Sequence, residues 1–110
     1  MPNPYQYIVV KETNARGVLA CQASHAAGES VLLEHKRDYD PSQIHIVMLV
    51  AKDSQALEDL GTTLLCNGVP HVVIREPDEP YRGCATAVGV APTIDREAIR
   101  IFFAAFKVLH

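Results

Sequence analysis

Tryptophan is absent from the 110 residues, cysteine occurs three times, and no apolar run approaches the ~20 residues that a bilayer-spanning helix needs. The missing run excludes a helical membrane span. Cys21, Cys66 and Cys84 are odd in number, widely spaced and without any Cys-x-x-Cys pairing. They give neither a disulfide framework nor zinc-ligand spacing, and their apolar settings predict buried, inert thiols at Cys21 and Cys66 in a reducing compartment. No pair among His35, His45, His71 and His110 stands at metal-ligand spacing with a third ligand, so no metal is expected; His45 and His71, set in or beside strand-like sequence, read as structural. Neither a Gly-x-Gly-x-x-Gly loop nor a lysine-bearing phosphate loop is present, so no nucleotide cofactor is expected. An excess of positive charge is also missing. Ten Lys and Arg face thirteen Asp and Glu, a formal charge of −3, which argues against a dedicated nucleic-acid binder while leaving room for a local basic patch. Met1 to Pro4 lacks the basic-then-apolar order of a signal peptide, and a cytoplasmic location is the expectation.

What is present is one domain's worth of alternating strand and helix patterns. Apolar residues make up 48% of the chain, enough for a packed core and too many for a disordered segment. The length suits a single domain over residues 1–110, with no internal repeat or linker. Tyr5 to Lys11 reads as a strand through its β-branched run. A helix follows from about Arg16 to about Lys36, capped by Thr13 or Asn14. Ile44 to Ala51 is nearly continuous apolar sequence, the pattern of a strand buried on both faces. Asp53 or Ser54 caps a second helix carrying Leu57, Leu60, Leu64 and Leu65, and Asn67-Gly68 stops it. His71 to Glu76 and Cys84 to Ala91 read as a hairpin of strands across the short Pro77–Arg82 link. A last helix is expected with Ile94, Ala98, Ile101, Phe102, Ala105 and Val108 on its apolar face. The order β-α-β-α-β-β-α predicts an α/β three-layer sandwich, a four-stranded mixed sheet with helices on both faces. Phe102, Phe103 and Phe106 cannot all face one core from one helix, so one is expected to be exposed or buried in a partner copy, which points to a homodimer.

The segment from Arg16 to Ala27 carries the most chemistry. It opens the first helix, and residues three or four apart share a helix face, so Val18, Gln22, His25 and Glu29 form one stripe. Spacing alone leaves two readings open, a polar site or a satisfied core histidine beside a surface glutamine. Arg16-Gly17 at the helix mouth is a candidate phosphate-binding spot, because free backbone N–H groups and the helix dipole favour anions.

These residues resemble the first-helix signature of the peptidyl-tRNA hydrolase 2 family, which reads Lys-Gly-Lys, a small apolar run, Gln, two residues, His-Ala. Arg16, Gly17, Gln22 and His25 match it, while Val18 replaces the second lysine, usually an active-site residue. Val69 to Glu76 is similar to the family's strand ending in Ile-Arg-Asp, with Glu76 in place of the aspartate. Gly83 to Pro92 is similar to its last strand, with Cys84 at the first threonine position and Thr86 at the second. The loop between them is about two residues shorter than the family's. The resemblance spans roughly residues 5 to 109, and the missing lysine and the strand cysteine are shared with the small peptidyl-tRNA hydrolase domain-containing subgroup.

The resemblance implies hydrolysis of the ester between a peptide and the tRNA 3′ ribose, a role in translation, peptidyl-tRNA as partner, and no cofactor. Such chemistry needs a group that positions or deprotonates water and donors for an oxyanion. His25 is then the candidate base and Gln22 the group that orients carbonyl or water. Glu76 holds the histidine or the water, and Thr86 supplies a hydroxyl. Arg16, Gly17, Arg75 and Arg82 are the candidates for the substrate's phosphates. Each has a plainer reading: Glu76 as a loop carboxylate paired with Arg75 or Arg82, Thr86 as a strand former, Cys84 as an inert thiol rather than a nucleophile. Val18, Glu76 and Cys84 as three departures together also fit a catalytically silent relative that uses the same cleft to bind a tRNA end, a nucleotide or a protein.

Overall fold

Tyr5–Lys11 forms strand β1, and its β-branched centre makes it the innermost strand of the sheet: Ile8, Val9 and Val10 are fully buried. The computed structural model describes residues 3–13, 15–33 and 40–109. Around β1 lie helix α1 (Arg16–Val31), β2 (His45–Ala51), helix α2 (Ser54–Cys66), β3 (His71–Arg75), β4 (Ala85–Val90), the one-turn helix α3 (Arg96–Ile99) and β5 (Lys107–Val108). The sheet order is β3-β4-β1-β2-β5. β1 and β2 are parallel, as a crossover helix requires, and the β1–β4, β3–β4 and β2–β5 pairs are antiparallel. α1 packs over one face on Ile8, Val10, Ile74 and Ala87; α2 and the segment after α3 pack over the other on Tyr7, Val9, Leu49 and Val88. The expected layered α/β sandwich with a mixed sheet is therefore present, but with five strands rather than four.

The differences have local causes. The last helix expected over residues 94–108 is one turn of α-helix followed by a 3₁₀ turn, Arg100–Phe103, and the chain then straightens into β5. Ile94 and Ile101 stand exposed, and Ile99 and Phe103 are the buried anchors. Tyr7 stacks on Phe103 at 4.3 Å, and the Tyr7 hydroxyl accepts from Arg96 Nε at 3.0 Å. That hydrogen bond, with the tyrosine charge distribution around it, raises the Arg96 pKa further above its ordinary value. Phe102 and Phe106 are half-buried against the same core, so the aromatic surplus that suggested a partner copy is absorbed within the chain. β2 is not buried on both faces: only Leu49 and Ala51 are buried, and Ile46 near its start is 53% exposed. The thiols expected to be buried are exposed. Cys21 lies about 140° round α1 from buried Ala26, and Cys66 about 200° round α2 from buried Leu64.

The caps divide in the same way. Asp53 caps α2, accepting from the Ala56 N–H at 2.9 Å, and Gly68 ends it at φ +67°, as the sequence predicts. α1 has Ala15 at its N-cap and no side-chain cap; the Thr13 hydroxyl accepts instead from the Ala15 N–H, 3.2 Å away. Asn14 and residues 34–39 lie outside the described residues, and α1 ends at Val31 rather than Lys36.

What fixes α1 over the sheet is close backbone approach and a buried polar clasp. Gly89 of β4 lies under the Ala26 carbonyl, where any Cβ would overlap it. From β1, buried Gln6 donates through Nε2 to the Ala27 carbonyl (2.9 Å) and to Ser30 Oγ (2.8 Å), and Ser30 donates to the Ala26 carbonyl (2.6 Å). Gly89→Ala is expected to cost about 2 kcal/mol through forced displacement of α1, a fall of about 10 °C in Tm for a chain of this size. Thermal unfolding measures it, and an unchanged Tm would contradict the close approach.

Candidate functional site

The β3–β4 ladder pairs Ile74 with Ala87 and Arg75 with Ala85, leaving Thr86 as an extra residue on β4. Such a bulge breaks the alternation of side chains and re-aims one of them. Ala85 therefore joins the core under α2, while the Thr86 hydroxyl turns to the α1 face. There Thr86 Oγ1 lies 2.9 Å from Gln22 Oε1 and 3.1 Å from the Ile74 carbonyl oxygen. One hydroxyl carries one proton, so these two acceptors share it. The Thr86 hydroxyl donates to the Gln22 amide oxygen and lies within reach of the Ile74 carbonyl. Among the described residues the Gln22 amide nitrogen makes no side-chain hydrogen bond, which leaves it to donate to a carbonyl or a water.

Thr86 is buried and Gln22 half-buried, and His25, one turn further along α1, is exposed. Among the described residues His25 makes no side-chain hydrogen bond or ion pair. Val18 completes the stripe at 49% exposure, an apolar side chain in solvent where the stripe begins. The structure thus brings together Gln22 and Thr86, with His25 and Val18 on the same flank of α1.

Glu76, Arg75 and Arg82 make their side-chain hydrogen bonds and ion pairs to other partners. Glu76, half-buried just past β3, turns its carboxylate back to accept from the Asp78 N–H at 3.2 Å. Cys84 is exposed and lies outside the strand, its N–H donating to the Tyr81 carbonyl. The Arg75 guanidinium is drawn to α2, on the far face from Gln22, where it pairs with Glu58 at 2.6 Å and donates to the Gly83 carbonyl. Arg82 is held within its own hairpin by the Pro77 carbonyl and Glu79. Gly17 is exposed with open space around it. Arg16 faces neither Val18 nor Gln22 but lines a groove on the other flank of α1.

Sequence reasoning missed that groove, a cavity of about 940 Å³ round the end of β2. Its position follows from the topology. The loop leaving β1 leads to α1 on one face and the loop leaving β2 leads to α2 on the other, which opens a crevice at the carboxyl ends of the two parallel strands. Lys52 and Lys107 line it together with Arg16, and Phe102 and Phe106 wall it on the α2 side. The order strand-helix-strand-helix is the signal that marks this end of the sheet; β5, two residues long, leaves no periodicity to read. Among the described residues no group of three His, Cys, Asp or Glu is placed to hold a metal ion.

A model of the family described as Peptidyl-tRNA hydrolase PTH2 matches residues 5–109. Comparison with curated proteins gives no match. The Gln22–Thr86 contact can be weighed directly: a double-mutant cycle of Gln22→Leu and Thr86→Val is expected to return a coupling of about 1 kcal/mol in unfolding free energy. A coupling of zero would mean that the two side chains do not bond.

Proposed function

This chain belongs to the peptidyl-tRNA hydrolase PTH2 family, and on that premise we propose that it hydrolyses the ester between a peptide and the 3′ ribose of tRNA. The single observation that carries the reading is the Gln22–Thr86 pair, an oriented amide held across the α1–sheet boundary beside an exposed imidazole. Gln22, its oxygen held by Thr86, orients the ester carbonyl through its amide nitrogen, and His25 takes a proton from an attacking water. The water oxygen then forms a bond to the ester carbonyl carbon, the bond from that carbon to the ribose oxygen breaks, and the proton passes to the ribose oxygen. A ribose hydroxyl and a carboxylic acid result, the acid releases its remaining proton to solvent to give the carboxylate, and no cofactor takes part. Thr86 acts through Gln22 and is a positioning residue. Glu76 and Cys84 have no step in this scheme. Arg16 and Gly17 remain the phosphate contacts at the helix mouth, with Arg75 and Arg82 committed to pairs inside the chain.

The second reading, a silent relative that binds without turnover, is favoured by Val18 at the lysine position and by those two committed arginines. Hydrolysis of peptidyl-tRNA by the wild type, Gln22→Ala, His25→Ala and Val18→Lys separates the two. Hydrolysis by the wild type that falls about 100-fold in kcat on losing the Gln22 amide, the size expected for one preorganised polar group, supports the enzyme. Intact ester under wild type, where a control hydrolase clears it, decides for the binder; turnover regained only by Val18→Lys would place the lapse at that one residue.

A further inference from the structure

The groove round the end of β2 has no part in the hydrolytic scheme, yet its wall is divided by chemistry along the two faces of the sheet. On the α1 side stand Arg16, Lys52 and Lys107. Lys107 lies opposite Val50 in the β2–β5 ladder and Lys52 two residues beyond it, so the two ammonium groups rise from neighbouring chain ends. All three cations are exposed, and none forms an ion pair among the described residues. On the α2 side Phe102 and Phe106 offer half-buried rings backed by the main core. Glu12 and Asp59 also line the groove, and Asp59 Oδ1 already accepts from Gln55, which leaves its other oxygen free for a donor on a ligand.

A ligand matching both lobes is anionic at one end, flat and apolar at the other, and carries N–H or O–H donors. A nucleotide has all three properties: phosphate for the cations, a base for the aromatic wall, and amino or ribose hydroxyl donors for the carboxylates. A fatty acid has no such donors, and a peptide joins an anion to a flat ring only where its sequence supplies both. The cavity, about 940 Å³, lies at the upper end of the range for small-ligand sites. We propose that this groove binds a nucleotide unit, with its phosphate at Arg16, Lys52 and Lys107 and its base against Phe102 and Phe106. Resting on the peptidyl-tRNA reading, the unit is one of the last nucleotides of the tRNA, held on the flank of α1 opposite Gln22.

The test needs no turnover. Labelled protein is titrated with adenosine 5′-monophosphate, adenosine and laurate, and the backbone amide shifts are followed by NMR. Adenosine monophosphate is expected to move the amides of Lys52, Phe106 and Lys107. Lys52→Glu, a surface change, is expected to weaken it about 10-fold, the scale of one charge-assisted hydrogen bond, with adenosine unaffected. Phe106→Leu is expected to weaken both about 10-fold through lost stacking. No response at millimolar adenosine monophosphate would overturn the proposal. So would shifts confined to the Gln22–Thr86 flank, or tighter binding of laurate at the same amides. A silent protein that binds the nucleotide leaves the groove standing without the hydrolase; an active hydrolase that ignores the nucleotide does the reverse.

Discussion

Everything on the α1 face depends on how closely that helix lies against the sheet. Its inner surface is made of alanines rather than a broad leucine stripe, so it gains little from bulk burial and must gain from proximity. Ala26 over Gly89 lets two backbones approach where side chains would hold them apart, and dispersion contacts strengthen steeply with such approach. The Gln6–Ser30 clasp then fixes the rotation of the helix about its axis, because its bonds are directional and buried. Height and rotation together are what bring the short Gln22 side chain within reach of a strand hydroxyl. A helix raised by the width of one methyl group would leave Gln22 and Thr86 as separate polar groups, one of them buried.

The second constraint is the bulge at Thr86. In a regular strand Thr86 would share a face with Val88 and Val90 and be buried under α2. The extra residue turns its hydroxyl to α1 and leaves the Ile74 carbonyl to accept from it. The same irregularity sits where Arg75 leaves the ladder for Glu58 on the other face. One local departure from pairing therefore sorts the hairpin: the neutral hydroxyl goes to the candidate dyad, and the cation goes to the opposite face.

Much of the fold was legible because the signals were strong and local. The buried β-branched run of β1, the Asp53 cap, the leucines of α2 and the Gly68 stop are each decided within a few residues of sequence. The layered sandwich followed from their order. What was not legible is decided by contacts far apart in the chain. β5 is two residues whose strand state exists only because β2 offers a free edge. The exposure of Cys21 and Cys66 depends on which side of each helix finds the sheet. Within the site, the partnership of Gln22 and Thr86 was in view as two candidates. Their contact was not, since alternation counted from Cys84 takes no account of the bulge. That Arg75 and Arg82 pair with Glu58 and Glu79 was not legible either, because those partners are set by the packing of α2 and the turn of the hairpin.

A chain with a formal charge of −3 can still engage a polyanion if its cations are gathered where the ligand must come. Here three of the ten basic residues meet at the carboxyl ends of β1 and β2, a place dictated by topology rather than by composition. That end of the sheet also carries the start of α1, so one helix serves two surfaces. Its β4-facing flank holds the polar pair and the imidazole, and its β2-facing flank contributes Arg16 to the groove. For a substrate that joins a peptide to a nucleic acid through one ester, such a division has a physical logic. On the proposed function the charged polymer would be held by groups that keep their hydration, while bond breaking would take place beside the amide that Thr86 holds. Val18, at the position where the family's second lysine would stand, puts an exposed apolar side chain on the polar flank, while Arg16 lines the groove on the far side of the same helix.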